Sequence, residues 1–200
     1  MFSAENPSHG TGDPSQPGLV AKAKTVGSPE IHAAIERLAA AISARHPAPQ
    51  PLLILGIAAG GIELARRLAL SLSRGEPPAS MRARPGIIDI SFHRDDTGLN
   101  PIPKEYPATM TPGDVHGATV ILTDDVLFSG RTVKAALDEL FDHGRAETVE
   151  LAVLVDRGGR ALPIAATYTG LTIATGPTEK IVVRLDPTNP AKDSIQFKTA

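Results

Sequence analysis

Two adjacent carboxylates, Asp124 and Asp125, stand just ahead of the turn Val126-Leu127-Phe128-Ser129-Gly130-Arg131-Thr132. A Ser/Gly/Thr turn leading into a helix offers free backbone N–H groups, hydroxyls and the positive end of the helix dipole. Together these bind an anion of phosphate size. The acids cannot bind the same anion, because like charges repel. They suit sugar hydroxyls or a hydrated magnesium ion beside it. A ribose carrying a 5′-phosphate satisfies both halves at once. The plainer alternative is a strand-end cap in which the acids pair with Arg131 or Lys134.

The elements that must hold these groups are written around them. Val120–Leu122 is an apolar, β-branched run that reads as a buried strand, and Val133, Ala136, Leu137, Leu140 and Phe141 recur at helical spacing after the turn. In an open α/β sheet, ligands bind at the carboxyl ends of strands, where such a turn sits. Leu52–Ile57 is a second buried strand, followed by Ala58-Ala59-Gly60-Gly61 and a helix over Ile62–Ser73. Small residues there let backbone N–H groups approach a diphosphate. The stretch is neither a Walker loop nor a dinucleotide fingerprint. Val149–Val155 is a third strand, ending on Asp156-Arg157-Gly158-Gly159-Arg160. Asp156 suits a magnesium-bound water or a base and Arg157 a diphosphate; a salt-bridged turn is the alternative. Ile87–Phe92 reads as a strand running into His93-Arg94-Asp95-Asp96, where Arg94 either reaches a diphosphate or pairs with Asp95. The proline-bearing stretch Asp96–Asp114 has no helical period, and a loop of that length is commonly a lid.

A chain of 200 residues, 42% apolar, suits one domain with a full core. Residues 1–27 are rich in Pro, Gly and Ser and read as a disordered extension, 28–187 as the domain, and 188–200 as a tail. Ser28-Pro29-Glu30 starts a helix, with Ser28 as cap, and Ile31, Ile35, Leu38 and Ile42 line one face. A net charge of −2 gives no global attraction to nucleic acid, so any RNA site would be a local patch. With no cysteine, disulfides and thiolate chemistry are excluded. The six histidines, at 9, 32, 46, 93, 116 and 143, show no metal-ligand spacing, and no protein side chain is expected to bind a metal directly. No apolar run approaches the ~20 residues of a membrane helix, and the first residues lack a secretory pattern. A cytoplasmic protein is expected.

An acidic pair followed by Ser-Gly-Arg-Thr after an apolar strand resembles the phosphoribosyl-diphosphate (PRPP) motif of type I phosphoribosyltransferases. With the blocks 88–96, 151–158 and 162–164 in the same order, the chain resembles the PyrR family over roughly 27–186. That family combines pyrimidine-operon attenuation with uracil phosphoribosyltransferase activity. The resemblance implies an α/β fold, a parallel sheet flanked by helices with a small C-terminal hood, formed around residues 165–171. It implies PRPP and uracil as substrates, UMP as product, Mg2+ with PRPP, a homodimer or higher, and an mRNA leader as a further partner. Asp124 and Asp125 would hold the ribose, Val126–Thr132 the 5′-phosphate, Ala58–Gly61 the diphosphate, and Arg94, Asp95, Asp156 and Arg157 the lid and base. Several positions depart from the family: Ala58-Ala59 lacks a Lys or Arg, Phe128 replaces Tyr, Gly159 replaces His, and Leu171 falls where Lys is expected. On the opening helix Glu36 would repel phosphate, leaving Arg37, Arg145, Arg157 and Arg160 as candidate RNA contacts. A non-catalytic nucleotide-sensing attenuator or a degenerate paralogue is the alternative.

Overall fold

The computed structural model describes residues 18–19, 25–77, 80–93, 95, 107–176 and 178–199. In chain order the strands are β1 (Gly18–Leu19), β2 (Thr25–Val26), β3 (Leu52–Ile57), β4 (Ala83–Ile88), β5 (Thr119–Leu127), β6 (Thr148–Asp156), β7 (Tyr168–Thr172), β8 (Glu179–Arg184) and β9 (Ser194–Thr199). The helices are α1 (Ser28–Arg45), α2 (Gly61–Leu72) and α3 (Arg131–Asp142). Six strands form one parallel sheet in the order β1-β7-β6-β5-β3-β4, and β2-β9-β8 form a small antiparallel sheet. All six residues of β3 are buried, as a parallel strand covered on both faces requires. Its side chains alternate. Leu52 and Ile54 join Ile121 and Leu154 beneath α1 and α2, whereas Leu53, Leu55 and Ile57 join Leu122 and Val153 beneath α3.

Sequence and structure differ at identifiable places. Gly27 caps α1 and Ser28 lies inside it, its hydroxyl donating to the Pro190 carbonyl at 2.8 Å. The strand expected over 87–92 is instead Ala83–Ile88, paired in register with β3, and Phe92 is 86% exposed. Pro85 sits within it because β4 is the edge strand, where a missing N–H is tolerated. Residues 165–171 are not the hood. Their latter half is β7, paired with β6, with Leu171 buried and the Tyr168 hydroxyl donating to Glu150 at 2.5 Å.

The stretch read as a C-terminal tail is likewise structured. Pro190–Lys192 is a turn of 3-10 helix, and Ser194–Thr199 is a strand whose Ile195 is fully buried. β2, from the stretch read as an extension, pairs with it through Thr25 and Val26. Asp193 fastens this sheet to the helices. Its carboxylate accepts from Arg67, from His32 Nε2 at 2.9 Å and from the Asp186 N–H at 2.8 Å. This antiparallel sheet, rather than residues 165–171, is the element that could serve as a hood.

Candidate functional site

β4 lies on one side of β3 and β5 on the other, so the chain reverses its winding direction between β3 and β5. That switch point opens a crevice at the carboxyl ends of the strands. A cleft of about 540 Å³ lies there, lined by Ala58, Gly60, Ile90, Asp95, Asp124, Asp125, Val126, Ser129, Arg131, Thr132 and Lys180. The turn after β3 and the start of α2 press directly on the acidic pair. A Cβ on Gly60 would stand 2.5 Å from the Asp125 carboxylate carbon, and one on Gly61 would stand 2.0 Å from the Thr123 carbonyl oxygen. The Thr123 hydroxyl also donates to the Gly61 carbonyl at 3.0 Å. Only glycine permits this approach.

Asp124 is buried, and its carboxylate accepts the Asp125 N–H at 3.0 Å. Burial first, and then the neighbouring Asp125 charge, push the Asp124 carboxyl well above the usual carboxylate range. Burial raises Asp125 as well; the opposing influences include the positive charge of Lys180. The alternative pairing is not what the fold builds, because Arg131 pairs with Asp95 and Lys134 with Asp138 at 2.5 Å. The two carboxylates face the cleft, whose lining also includes Lys180.

Gly130 takes the left-handed conformation, φ 89°, and caps the N-terminus of α3. A helix leaves its first N–H groups without intrahelical partners, and here they belong to the turn beside the acids. The turn is held from behind. The Ala161 and Leu162 N–H groups both donate to the Ser129 carbonyl at 3.0 Å, and Arg160 donates to the Phe128 carbonyl at 3.0 Å and the Ile164 carbonyl at 3.0 Å. Asp156 holds Arg160 through a 2.5 Å contact. Asp156 thus sits in the salt-bridged turn, outside the cleft lining, and Arg160 braces the anion turn.

Arg157 lies with its guanidinium 3.9 Å over the Phe128 ring, and its Nε is buried with no hydrogen-bond partner among the described residues. Two departures from the family pattern belong together here. Gly159, at φ 73°, lies against Phe128, where a Cβ would come within 2.5 Å of the ring. Leu127 is buried in the core, and Ala59 is exposed outside the cleft lining. Arg94 and residues 96–106 of the expected lid lie outside the described residues. Sequence reasoning missed Lys180, which reaches the cleft from β8, and assigned Arg160 to RNA rather than to bracing. Of the other RNA candidates, Arg37 donates to the Gly170 carbonyl at 3.0 Å and Arg145 is exposed, while Glu36 pairs with Arg74.

A crevice at the switch point, an acidic pair and an anion turn define a phosphoribosyl-transferring domain, and comparison with known proteins agrees. The model of the phosphoribosyl transferase domain matches residues 24–187. The hypoxanthine phosphoribosyltransferase of Trypanosoma cruzi shares the fold, with a TM-score of 0.60 at 18% identity over 87% of this chain and 95% of that one. Among curated proteins, "Bifunctional protein PyrR" of Roseiflexus sp. is 40% identical over 83% of this chain and 89% of its own length. The protein of that name from Deinococcus radiodurans is 44% identical over 84% and 90%. The chain belongs to the phosphoribosyl transferase domain family, and within it to the PyrR proteins. Among the described residues no helix is long and apolar enough to cross a membrane.

Proposed function

We propose that this protein transfers the phosphoribosyl group of PRPP to uracil, giving UMP and diphosphate. The observation that carries the reading is the Asp124–Asp125 pair, facing the cleft between the anion turn at Gly130 and the small-residue turn at Ala58–Gly60. The 5′-phosphate would sit on the N–H groups and hydroxyls of Ser129–Thr132. The ribose hydroxyls would donate to Asp124 and Asp125, whose negative charge stabilises the cationic character that develops at the anomeric carbon. The uracil N1–carbon bond forms as the bond to diphosphate breaks. The electron pair leaves on the diphosphate oxygen, and the N1 proton passes to solvent. Among the described residues no side chain of the site stands out as a general base, so positioning and electrostatics carry the rate.

The oxygen donors lining the cleft, from Asp95, Asp124, Asp125, Ser129 and Thr132, suit a hard cation such as Mg2+. Bound with PRPP, it would neutralise charge on the leaving diphosphate. Lys180 stands ready to add to that neutralisation. This reading puts the protein in the cytoplasm, as a homodimer or higher.

The test is UMP formation from uracil and PRPP with Mg2+, run beside Asp125→Asn, which keeps the shape and removes the charge. Turnover lost in the variant supports the transferase. Full activity in the variant removes the role assigned to Asp125. A parent protein that binds PRPP or UMP by calorimetry without turnover would be a nucleotide sensor instead.

The word "bifunctional" in the relatives' name supports a second activity, and we propose that it is uridine-nucleotide-dependent binding of an mRNA leader. Its surface would have to be found away from Glu36, around the exposed Arg145. Binding that weakens steeply with salt is the expected signature, and salt-independent retention of RNA would count against it.

A further inference from the structure

We infer that His93, Glu139 and Asp142 form a binding site for a divalent transition-metal ion of the zinc class, apart from the Mg2+ that accompanies PRPP. No spacing in the sequence announces it, because the donors come from two elements. His93 lies in the turn after β4, and Glu139 and Asp142 lie on the last turns of α3. The His93 Nε2 stands 3.1 Å from Glu139 Oε2 and 3.4 Å from Asp142 Oδ2, and one donor atom from each of the three lies within 4.8 Å of the others. In a tetrahedral zinc site with bonds of about 2.1 Å, neighbouring donors are about 3.4 Å apart. The two edges at His93 are near that length, and the third is within 4.8 Å.

Three further features point the same way. The remaining oxygen of Glu139 is held by others: Oε1 accepts from the Thr109 hydroxyl at 2.5 Å and lies 3.0 Å from His143 Nε2. Outer partners of this kind fix the orientation of a ligating carboxylate and leave its second oxygen free to bind. The site also lies where anions are disfavoured. Asp138, Glu139 and Asp142 gather toward the negative end of the α3 dipole, with no Lys or Arg in the last turn, and Lys134 is committed to Asp138. A cation among them relieves that repulsion. Finally, Glu139 is only 15% exposed and His93 24%, whereas Asp142 is 71% exposed, so the site is walled on one side and open to solvent on the other. Three protein ligands with an open fourth position is a common zinc arrangement.

The ligand set chooses the ion. One imidazole and two carboxylates suit Zn2+, Co2+ or Ni2+, while Mg2+ prefers an all-oxygen shell rich in water.

The test uses the full chain and ZnCl2 in millimolar Mg2+, followed by calorimetry and by melting temperature. One ion per chain at micromolar affinity is expected, with a rise in melting temperature. Co2+ should give the visible absorption of a tetrahedral site. Asp142→Ala, a change at an exposed position, should weaken binding at least tenfold, and His93→Ala should weaken it further. His116→Ala, at an exposed histidine elsewhere, should leave it unchanged. The inference falls if Zn2+ shows no saturable binding below a millimolar, or if binding survives in both His93→Ala and Asp142→Ala. Neither readout depends on transferase activity.

Discussion

Asp124 and Asp193 are both buried carboxylates, 6% and 3% exposed, and they titrate in opposite directions. Asp193 is buried yet held below the usual range, because Arg67, the Asp186 N–H and His32 all favour its charge. Asp124 is paired with no cation among the described residues and has a second carboxylate beside it, and its burial raises it. The first clasps the antiparallel sheet to α1 and α2; the second lies in the cleft. Burial outweighs every other influence at Asp124, and the partners outweigh it at Asp193. An enclosed acid whose charge the fold leaves unmet is held ready for a ligand.

Removing the clasp should have the largest effect on the fold. Asp193→Ala removes one of Arg67's two carboxylate partners, Glu63 remaining at 2.7 Å, and losing hydrogen bonds between charged groups costs about 1.5–3 kcal/mol each. Urea unfolding should show it, and PRPP binding should weaken alongside, because Lys180 rides on the same sheet. An unchanged unfolding midpoint would mean the clasp is idle. The depressed carboxyl of Asp193 supplies stability that is present above the ordinary aspartate range and lost as pH falls through its folded value. Its contribution should therefore vanish only in acid.

In the cleft the same kind of change should act on activity rather than on the fold. Asp125→Asn should lower UMP formation by on the order of 100-fold or more, with the melting temperature maintained. The turn across the cleft offers a gain instead. Ala59→Lys adds the cation that the sequence resemblance leads one to expect in this turn, and a charged hydrogen bond of roughly 1.5–3 kcal/mol should tighten PRPP binding about 10- to 100-fold. No gain on titration would show that Lys180 or the backbone already serves the diphosphate. The smallest effect is the sharpest test of the contrast. Asp124 has a raised folded pKa, so its ionisation costs stability above the ordinary aspartate range and nothing well below it. Asp124→Asn should raise the melting temperature by a few degrees at neutral pH, with the advantage disappearing in acid. A variant less stable at neutral pH would place Asp124 with Asp193, among the structural acids.

Some of this was readable in the chain. β3, β5 and the three helices follow from apolar runs and helical spacing, and the acids and the anion turn are neighbours in sequence. β9 carries a readable alternation, Ile195 and Phe197 facing one way, but two apolar residues look like a tail until β8 and Val26 supply partners. Pro85 argues for a connector, and only the edge position of β4 makes it admissible. Arg160 looks like any exposed cation near a glycine turn; that it braces the Phe128 and Ser129 carbonyl region depends on how the 158–164 loop folds back.

The sequence by itself determined the parallel strands, the acid pair and the turn at the head of α3, because each is a local pattern whose residues are adjacent or in helical or strand register. Only the tertiary structure decided that Lys180 joins Asp125 in the cleft lining, that Asp193 meets Arg67, and that His93 meets Glu139 and Asp142. In each case the partners lie on different elements and their charges act through space, so no spacing along the chain records the meeting.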